Sequence, residues 1–469
     1  MADTTPAAFY TLLCLAGGVI VLLKLTKAVF SRRGAGVNLP PGPWPLPVIG
    51  NMHSLLGALP HHAMRGLARR YGAVMLLRLG RVPTVVVSSP EAAREVMKTH
   101  DAVVSDRPLY VTANILSYGG QNIAFAPSGS RHWKELRRLC ATELLSPKRV
   151  LSFRPIREEE AASLVRSVAA SPVVNLSERI KVLMNDILMR TLGAASLRAA
   201  REVHDRIHGI VQAIIQDHES KVANDGGEGG GRRDDILDVL LRLQRDGGLE
   251  TVLTTQVVCA VLFDIFAAGS ETTATTTIWV MSELVRNPAV MQRAQSEVRQ
   301  VLQGKTKVAE ADIQGKLPYL QMVIKETLRM HPPLPLILPR SCAEPVKIMD
   351  YDIPKGTVVF VNAWAIGRDE KSWPNANEFK PERFEDGVID FSGADFKFLP
   401  GGGGRRMCPG LMFGFANIEI ALASLLYHFN WKLSNGGSPY ELDMTEAYGI
   451  TARRKIELLL EATPFITMN

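Results

Sequence analysis

Phe398-Leu-Pro-Gly-Gly-Gly-Gly-Arg-Arg-Met-Cys408-Pro-Gly410 is the most informative stretch of this 469-residue chain. Four consecutive glycines make a loop whose backbone can approach a flat ligand closely. Arg405 and Arg406 make its surroundings electropositive. Behind the cysteine, Leu411, Phe415, Ile418, Leu422, Leu425 and Phe429 recur at spacings of three and four, which predicts an apolar-faced helix. The thiol is therefore expected near a helix N-terminus beside cationic side chains, where free amides and the dipole favour the thiolate. Such a thiolate is a metal ligand or a nucleophile. The plain alternative, an inert packed cysteine, fits the glycines and arginines poorly.

The loop resembles the haem-binding signature of the cytochromes P450, which reads Phe, two any, Gly, any, Arg, any, Cys, any, Gly. Gly404, Arg406, Cys408 and Gly410 match it in register, and Gly401 stands where the family has Phe. The resemblance implies a haem b whose iron takes Cys408 as its axial thiolate, a ligand that favours O–O cleavage. In the family the Phe packs near that sulfur and moderates its donation, so Gly401 bears on redox poise more than on ligation. A phosphate-loop reading is weaker, because no Gly-Lys-Ser/Thr follows the glycines.

Hydrophobic residues make up 46% of the chain, ample for one large core, and no central stretch reads as a linker between two cores. Lys plus Arg number 54 against 47 for Asp plus Glu, a net charge of +7. That diffuse basic charge suits an acidic redox partner or an anionic membrane surface. No Arg/Lys-rich arm points to nucleic acid. The cysteines Cys14, Cys140, Cys259, Cys342 and Cys408 lie far apart without zinc-like spacing, which fits a reducing compartment.

Residues from Ala7 to about Phe30 form an apolar run long enough to cross a bilayer core of roughly 30 Å. Lys24, Lys27, Arg32 and Arg33 fall at its end or after it, which argues against a cleaved secretory signal and places the rest of the chain in the cytosol. Residues 1–33 are thus expected to be a single-pass anchor. Residues 34–50 hold Leu39-Pro-Pro-Gly-Pro-Trp-Pro-Leu-Pro-Val-Ile-Gly50, read as a semi-rigid proline hinge. Microsomal members of the resembling family carry a similar hinge, implying an endoplasmic reticulum location.

Tyr71 to Ser89 reads as a hairpin of strands, and most of the chain beyond Ser89 as helix. A long apolar helix is expected from about Thr254 to Arg286, of order 50 Å. Asn287-Pro288 closes it and opens the next. Pro318 opens a further helix that must stop by His331, because Pro332-Pro333 follows.

Inside the long helix lies Ala267-Ala-Gly-Ser-Glu-Thr-Thr273, locally unfavourable for a helix centre. It resembles the family segment that crosses the distal face of the haem. The resemblance implies that Ala268 and Gly269 leave room for O2, while Thr272 and Glu271 relay protons. Splitting O2 does need timed protons in a dry pocket. A threonine-rich helix whose hydroxyls bond back to earlier carbonyls is the simpler reading.

Glu326 and Arg329 stand three apart on one helix face, by themselves an ordinary ion pair. The resemblance makes them a structural network with Arg383 of Pro381-Glu-Arg-Phe384. It also assigns Trp133, Arg137, Arg340 and Arg406 to the haem propionates, a task that suits the forked guanidinium.

The motifs keep the family's order from the anchor to about Ile456 and look most like plant A-type microsomal members. One departure is large: Leu192-Gly-Ala-Ala-Ser-Leu197 joins two segments that such proteins separate by a helix and loop over the substrate pocket. Residues 51–469 are therefore expected to form one catalytic domain, mainly α with a smaller β part and the cytochrome P450 fold, shortened near 193–199. The resemblance implies a monooxygenase inserting one oxygen of O2 into an apolar small molecule such as a terpenoid or phenolic. Electrons would come from NADPH through cytochrome P450 reductase. A hydroperoxide rearrangement fits the intact Gly269–Thr272 segment less well. A membrane-anchored haem-binding remnant with little turnover is the alternative that the shortened middle suggests.

Overall fold

A computed structural model describes residues 17–18, 37–193, 235–247, 253–447 and 449–466. The expected anchor, save Gly17 and Gly18, and the short join beyond Gly193 lie outside the described residues, as does the glycine-rich loop 222–233. Among the described residues two helices are long and apolar enough to cross a membrane, and both are largely packed inside the protein.

Eight helices organise the domain: α1 (Pro60–Tyr71), α2 (Arg131–Leu139), α3 (Arg154–Ala169), α4 (Leu176–Thr191), α5 (Thr255–Arg286), α6 (Pro288–Val301), α7 (Pro318–Met330) and α8 (Leu411–His428). α5 is the axis of the core. Thr254 caps it by accepting from the Val257 amide. Its 32 residues span about 48 Å, and α3, α4, α6, α7 and α8 bury the apolar side chains of one continuous cluster around it. Pro288 sits at N1 of α6, but Asn287 turns its side chain back to the Glu283 carbonyl instead of capping forward. α7 ends at Met330, one residue before the His-Pro-Pro stop. The apolar periodicity behind Cys408 forms α8, although Phe429 already belongs to the next strand.

The β part is smaller. β1 (Val74–Leu79) and β2 (Val82–Val87) form the expected antiparallel hairpin, Val74 opposite Val87. Then come β3 (Val173–Asn175), β4 (Arg340–Ser341), β5 (Val346–Ile348), β6 (Tyr351–Ile353), β7 (Val358–Val361), β8 (Phe429–Leu433) and β9 (Leu459–Pro464). The main sheet runs β1-β2-β7-β4, with β2 and β7 parallel; β3-β9-β8 and β5-β6 are separate. β2 is buried along Thr84–Val87 because it lies between two neighbours and under a second apolar cluster.

The proline segment departs from the spacer expected of it. Pro41 accepts from the Leu76 amide at 2.8 Å, and the Asn51 amide donates to Arg78 at 2.6 Å. A Cβ at Gly42 would lie 1.9 Å from the Leu76 carbonyl oxygen, so this glycine is what lets the segment dock on β1.

Candidate active site

The Cys408 loop folds around its own glycines. Gly404 sits at φ +66°, and a Cβ there would lie 2.2 Å from the Met97 carbonyl oxygen. Only glycine fits. Gly410 is the N-cap of α8, an open position. The Cys408 amide donates to Gly401 at 2.9 Å, and a Cβ at Gly401 would meet Leu411 Cδ2 at 3.2 Å and Cys408 Cβ at 3.4 Å. Leu411 thus already occupies part of the space beside the cysteine that a larger residue at 401 would claim.

The sulfur's electrostatics correct the simple helix-terminus argument. Burial pushes the Cys408 thiol up, and the Gly410 amide and Arg137 oppose that only partly. The Arg406 guanidinium is turned elsewhere, donating to the carbonyls of Ser105, Ile123, Ala124 and Ala126. The Arg405 amide donates to Asp101 at 2.7 Å, and its Nε lies 4.0 Å from the same carboxylate. A haem iron held by Cys408 would itself favour the thiolate.

Cys408 nevertheless keeps exposed surface while protein crowds its sulfur, so that surface faces an internal slot. Ala267 and Ala268 are exposed in the middle of α5, between buried stretches at Val257–Leu262 and Thr273–Val285. α8 meets α5 next to them: a Cβ at Gly414 would lie 3.1 Å from Thr273 Cγ2. The cysteine loop and the Ala267–Thr272 stretch therefore flank one space.

Thr272 donates its hydroxyl to the Ala268 carbonyl at 2.6 Å, and Thr273, Thr276 and Thr277 bond back in the same way. A Cβ at Gly269 would meet Leu188 at 3.1 Å, so this glycine lets α4 approach α5. Glu271 accepts from Thr451 at 3.1 Å and lines a small cavity with Lys181, Ile278, Arg453, Arg454 and Glu457.

On the other side, Trp133 donates Nε1–H to the Ile123 carbonyl at 3.1 Å, and Arg406 stacks over its ring at 4.7 Å. Arg340 donates to Asp101 Oδ1 and to the Gly403 carbonyl, both at 2.7 Å, while its buried Nε has no partner. Arg137 faces Trp133 at 5.9 Å and has no hydrogen-bond acceptor among the described residues. Sequence reasoning missed Arg107, which donates to Ala124, Leu338 and Pro339 carbonyls. Burial and the nearby charges of Arg340 and Arg406 push its guanidinium down. Burial, Arg340 and Arg137 bring Arg406 to about 10, although Asp106 and Asp101 oppose the shift.

Asp264 was also missed, although an acid inside an apolar helix was a visible signal. From α5 it accepts from the Asn122 side chain at 2.6 Å and the Ala124 amide at 3.0 Å. It thereby fixes the segment whose carbonyls take up Arg107, Arg406 and Trp133. Burial raises its carboxyl to about 6.

These residues fit a haem. Arg107, Arg137, Arg340 and Arg406 crowd one region with Asp101 and Asp106 as nearby carboxylates. Two positive charges remain over, and a haem b brings two propionates. The slot between the Cys408 loop and Ala267–Ala268 provides the flat cradle and the thiol donor.

Glu326 and Arg329 are fully buried and paired in a fork, at 2.7 and 2.8 Å. Arg383 joins at 3.2 Å, and the Lys380 amide donates to the same Glu326 oxygen at 2.8 Å. Arg329 also donates to the Gly367, Ala376 and Glu378 carbonyls. The triad ties α7 to the 367–384 segment and lines no slot.

Similar proteins agree with this geometry. A cytochrome P450 family profile matches residues 40–195 and 173–460. The chain is 43% identical to premnaspirodiene oxygenase of Hyoscyamus muticus over 493 aligned positions, covering 95% of this chain and 98% of that protein. It is 45% identical over 494 positions to ent-cassadiene hydroxylase of Oryza sativa subsp. japonica, covering 94% and 95%. A zebra fish cytochrome P450 solved with abiraterone superposes with a TM-score of 0.73 at 27% identity, over 86% of this chain and 99% of that one. A cysteine-headed cradle, guanidiniums to spare for two propionates and a match along nearly the whole length lead to one conclusion: the chain belongs to the cytochrome P450 family, haem-thiolate monooxygenases.

Proposed function

We propose that this chain is a microsomal monooxygenase that hydroxylates an apolar terpenoid, or less readily a phenolic, with electrons passed from NADPH through a membrane-bound reductase. The observation that carries it is the exposed pair Ala267–Ala268 in the middle of the otherwise packed α5, beside the Cys408 loop. Relatives named as an oxygenase, a hydroxylase and Zealexin A1 synthase support the substrate class. Haem bound at Cys408 supplies the activation of O2 and the transfer of one oxygen atom. The chain's own part is to hold that group, keep the slot dry and deliver protons. Trp133, Arg137, Arg340 and Arg406, with Arg107, hold the propionates. Ala268 keeps the distal side low, with Gly269 setting the α4–α5 distance beside it. Thr272 holds a hydroxyl proton at the Ala268 carbonyl, and Glu271 takes protons from the small cavity beside Thr451.

Residues 1–33 anchor the chain in the endoplasmic reticulum membrane, with the catalytic domain in the cytosol. Exposed Trp44, Leu46, Val48 and Ile49 next to the anchor support membrane contact. Exposed Lys134, Arg138 and Arg405 supply a basic face for the reductase. The test is co-expression with a reductase in microsomes and assay against terpene and phenolic panels. Substrate-dependent NADPH consumption with an oxygenated product is expected, and peroxide as the sole product refutes the reading.

One observation favours a second reading, a haem-binding remnant with little turnover. The family profile matches in two pieces, residues 40–195 and 173–460, that overlap just before the short join, and alignments to relatives run longer than the 469-residue chain itself. A relative's segment placed between Gly193 and Ala199 raises product formation severalfold under this reading. Equal turnover with and without the segment rejects it.

A further inference from the structure

Far from the Cys408 slot in sequence, the first turn of α1 brings two imidazoles onto one carboxylate. His61 Nε2 lies 2.6 Å and His62 Nε2 3.2 Å from the same oxygen of Glu446. The three donor atoms lie within 4.8 Å of one another. His61 and Glu446 are buried, whereas the His62 side chain keeps 39% of its surface. Behind the carboxylate stands His331, 5% exposed, with its Nδ1 unpartnered and 3.9 Å from the other Glu446 oxygen. Its Nε2 is held at 2.7 Å by Glu283 of α5, and its ring stacks on Trp279.

We propose that His61, His62 and Glu446 form a Zn2+ site, with His331 as the positioning residue behind Glu446. Four-coordinate zinc holds N and O donors at about 2.0–2.2 Å, which puts neighbouring donors roughly 3.3 Å apart. His62 and Glu446 already have that separation, and His61 needs to draw back by less than an ångström. The exposed edge of His62 leaves the fourth position open to water. His331 supplies the support that metal sites use behind their ligands, an imidazole between two carboxylates that orients Glu446.

The donor set decides which ion fits. Two imidazoles and one carboxylate suit a borderline ion such as zinc, and magnesium or calcium poorly. The ion would fasten α1 to the segment from Glu446 to Arg454, whose Thr451 hydroxyl reaches Glu271.

The test is calorimetric titration of ZnCl2 into the haem-loaded, full-length protein, with zinc counted per haem iron after gel filtration. One equivalent is expected for the wild type, and MgCl2 is expected to give no binding. His62→Gln changes a partly exposed side chain outside the haem site, and its zinc affinity is expected to fall roughly tenfold or more. Haem content reports whether that variant has folded. Crystals of the wild type grown with zinc give a second measurement, an anomalous peak between the two Nε2 atoms and Glu446. Absence of zinc binding, equal affinity in His62→Gln, or an anomalous peak elsewhere overturns the site and leaves only a hydrogen-bonded His–Glu cluster.

Discussion

Asp264→Asn isolates the carboxylate that holds the segment carrying the carbonyls around the haem pocket. In the wild type, burial raises the Asp264 carboxyl from 3.8 to about 6, while Ala124, Asn122 and Ile123 donate to its ionised form. Because the folded-state value lies above the unfolded one, the proton stabilises the fold at low pH. That contribution is complete below the unfolded value and is lost as pH rises through about 6. The full amplitude, two units of pH at about 1.4 kcal/mol each, is about 3 kcal/mol. Only part of it falls in a range where the rest of the protein survives. Between about pH 7.5 and about pH 5 the wild type gains about 1.4 kcal/mol relative to the asparagine variant, which takes up no proton. Urea unfolding of both proteins at the two pH values measures it, and subtraction removes every other titrating group. A stability difference that stays constant within a few tenths of a kcal/mol shows that Asp264 titrates like an exposed carboxylate and refutes the reasoning that burial outweighs the donors around it.

Three further outcomes are expected at the site. Cys408→Ser removes the thiolate, so the reduced-CO absorbance of thiolate-ligated haem disappears; persistence of that band rules out Cys408 as the ligand. Thr272→Ala keeps haem but diverts reducing equivalents to peroxide, measured as product per NADPH once a substrate is in hand. An unchanged ratio removes Thr272 from the proton route. Glu326→Gln leaves the buried Arg329 guanidinium unbalanced and lowers stability by about 3–5 kcal/mol, read by thermal melting and haem retention. A loss below about 1 kcal/mol would falsify the buried-lock account.

What was legible in the sequence was mostly local. The Cys408 loop, α8 behind it, α5 with its Ala267–Thr273 interruption and the proline stop of α7 each lie within one short window, where spacing and turn chemistry speak directly. The propionate side was legible only in part. Arg137 and Arg406 are motif residues, but Arg107 lies in Ser105-Asp-Arg-Pro108, a stretch with no periodicity, and acquires its meaning from carbonyls at Leu338 and Pro339. The closeness of Gly269 to Leu188 was not legible, because sequence does not say which side of a helix meets which neighbour. At the thiol, burial opposes the thiolate that the Gly410 amide and Arg137 favour, and the Arg406 guanidinium is engaged with backbone carbonyls, a balance that no local pattern displays.

Holding the haem and confining the substrate are separable tasks in this chain. Among the described residues the cradle draws on the 101–126 segment, α2, α5 and the 338–340 and 401–410 loops. The Glu326–Arg329–Arg383 triad braces α7 against the 367–384 segment. The charge excess around Arg107, Arg137, Arg340 and Arg406 gives the protein a strong electrostatic reason to take the group up. Turnover is a stricter demand. A small apolar substrate is normally buried over most of its surface, and oxygen transfer needs water excluded while protons are still delivered. If the shortened join affects function, it acts on coupling and product yield before it acts on haem content. A preparation with full haem occupancy, a normal reduced-CO band and a high peroxide yield is the signature of that order. Loss of haem in the absence of any other defect reverses it, and places the interval 194–234 in the folding of the cradle itself.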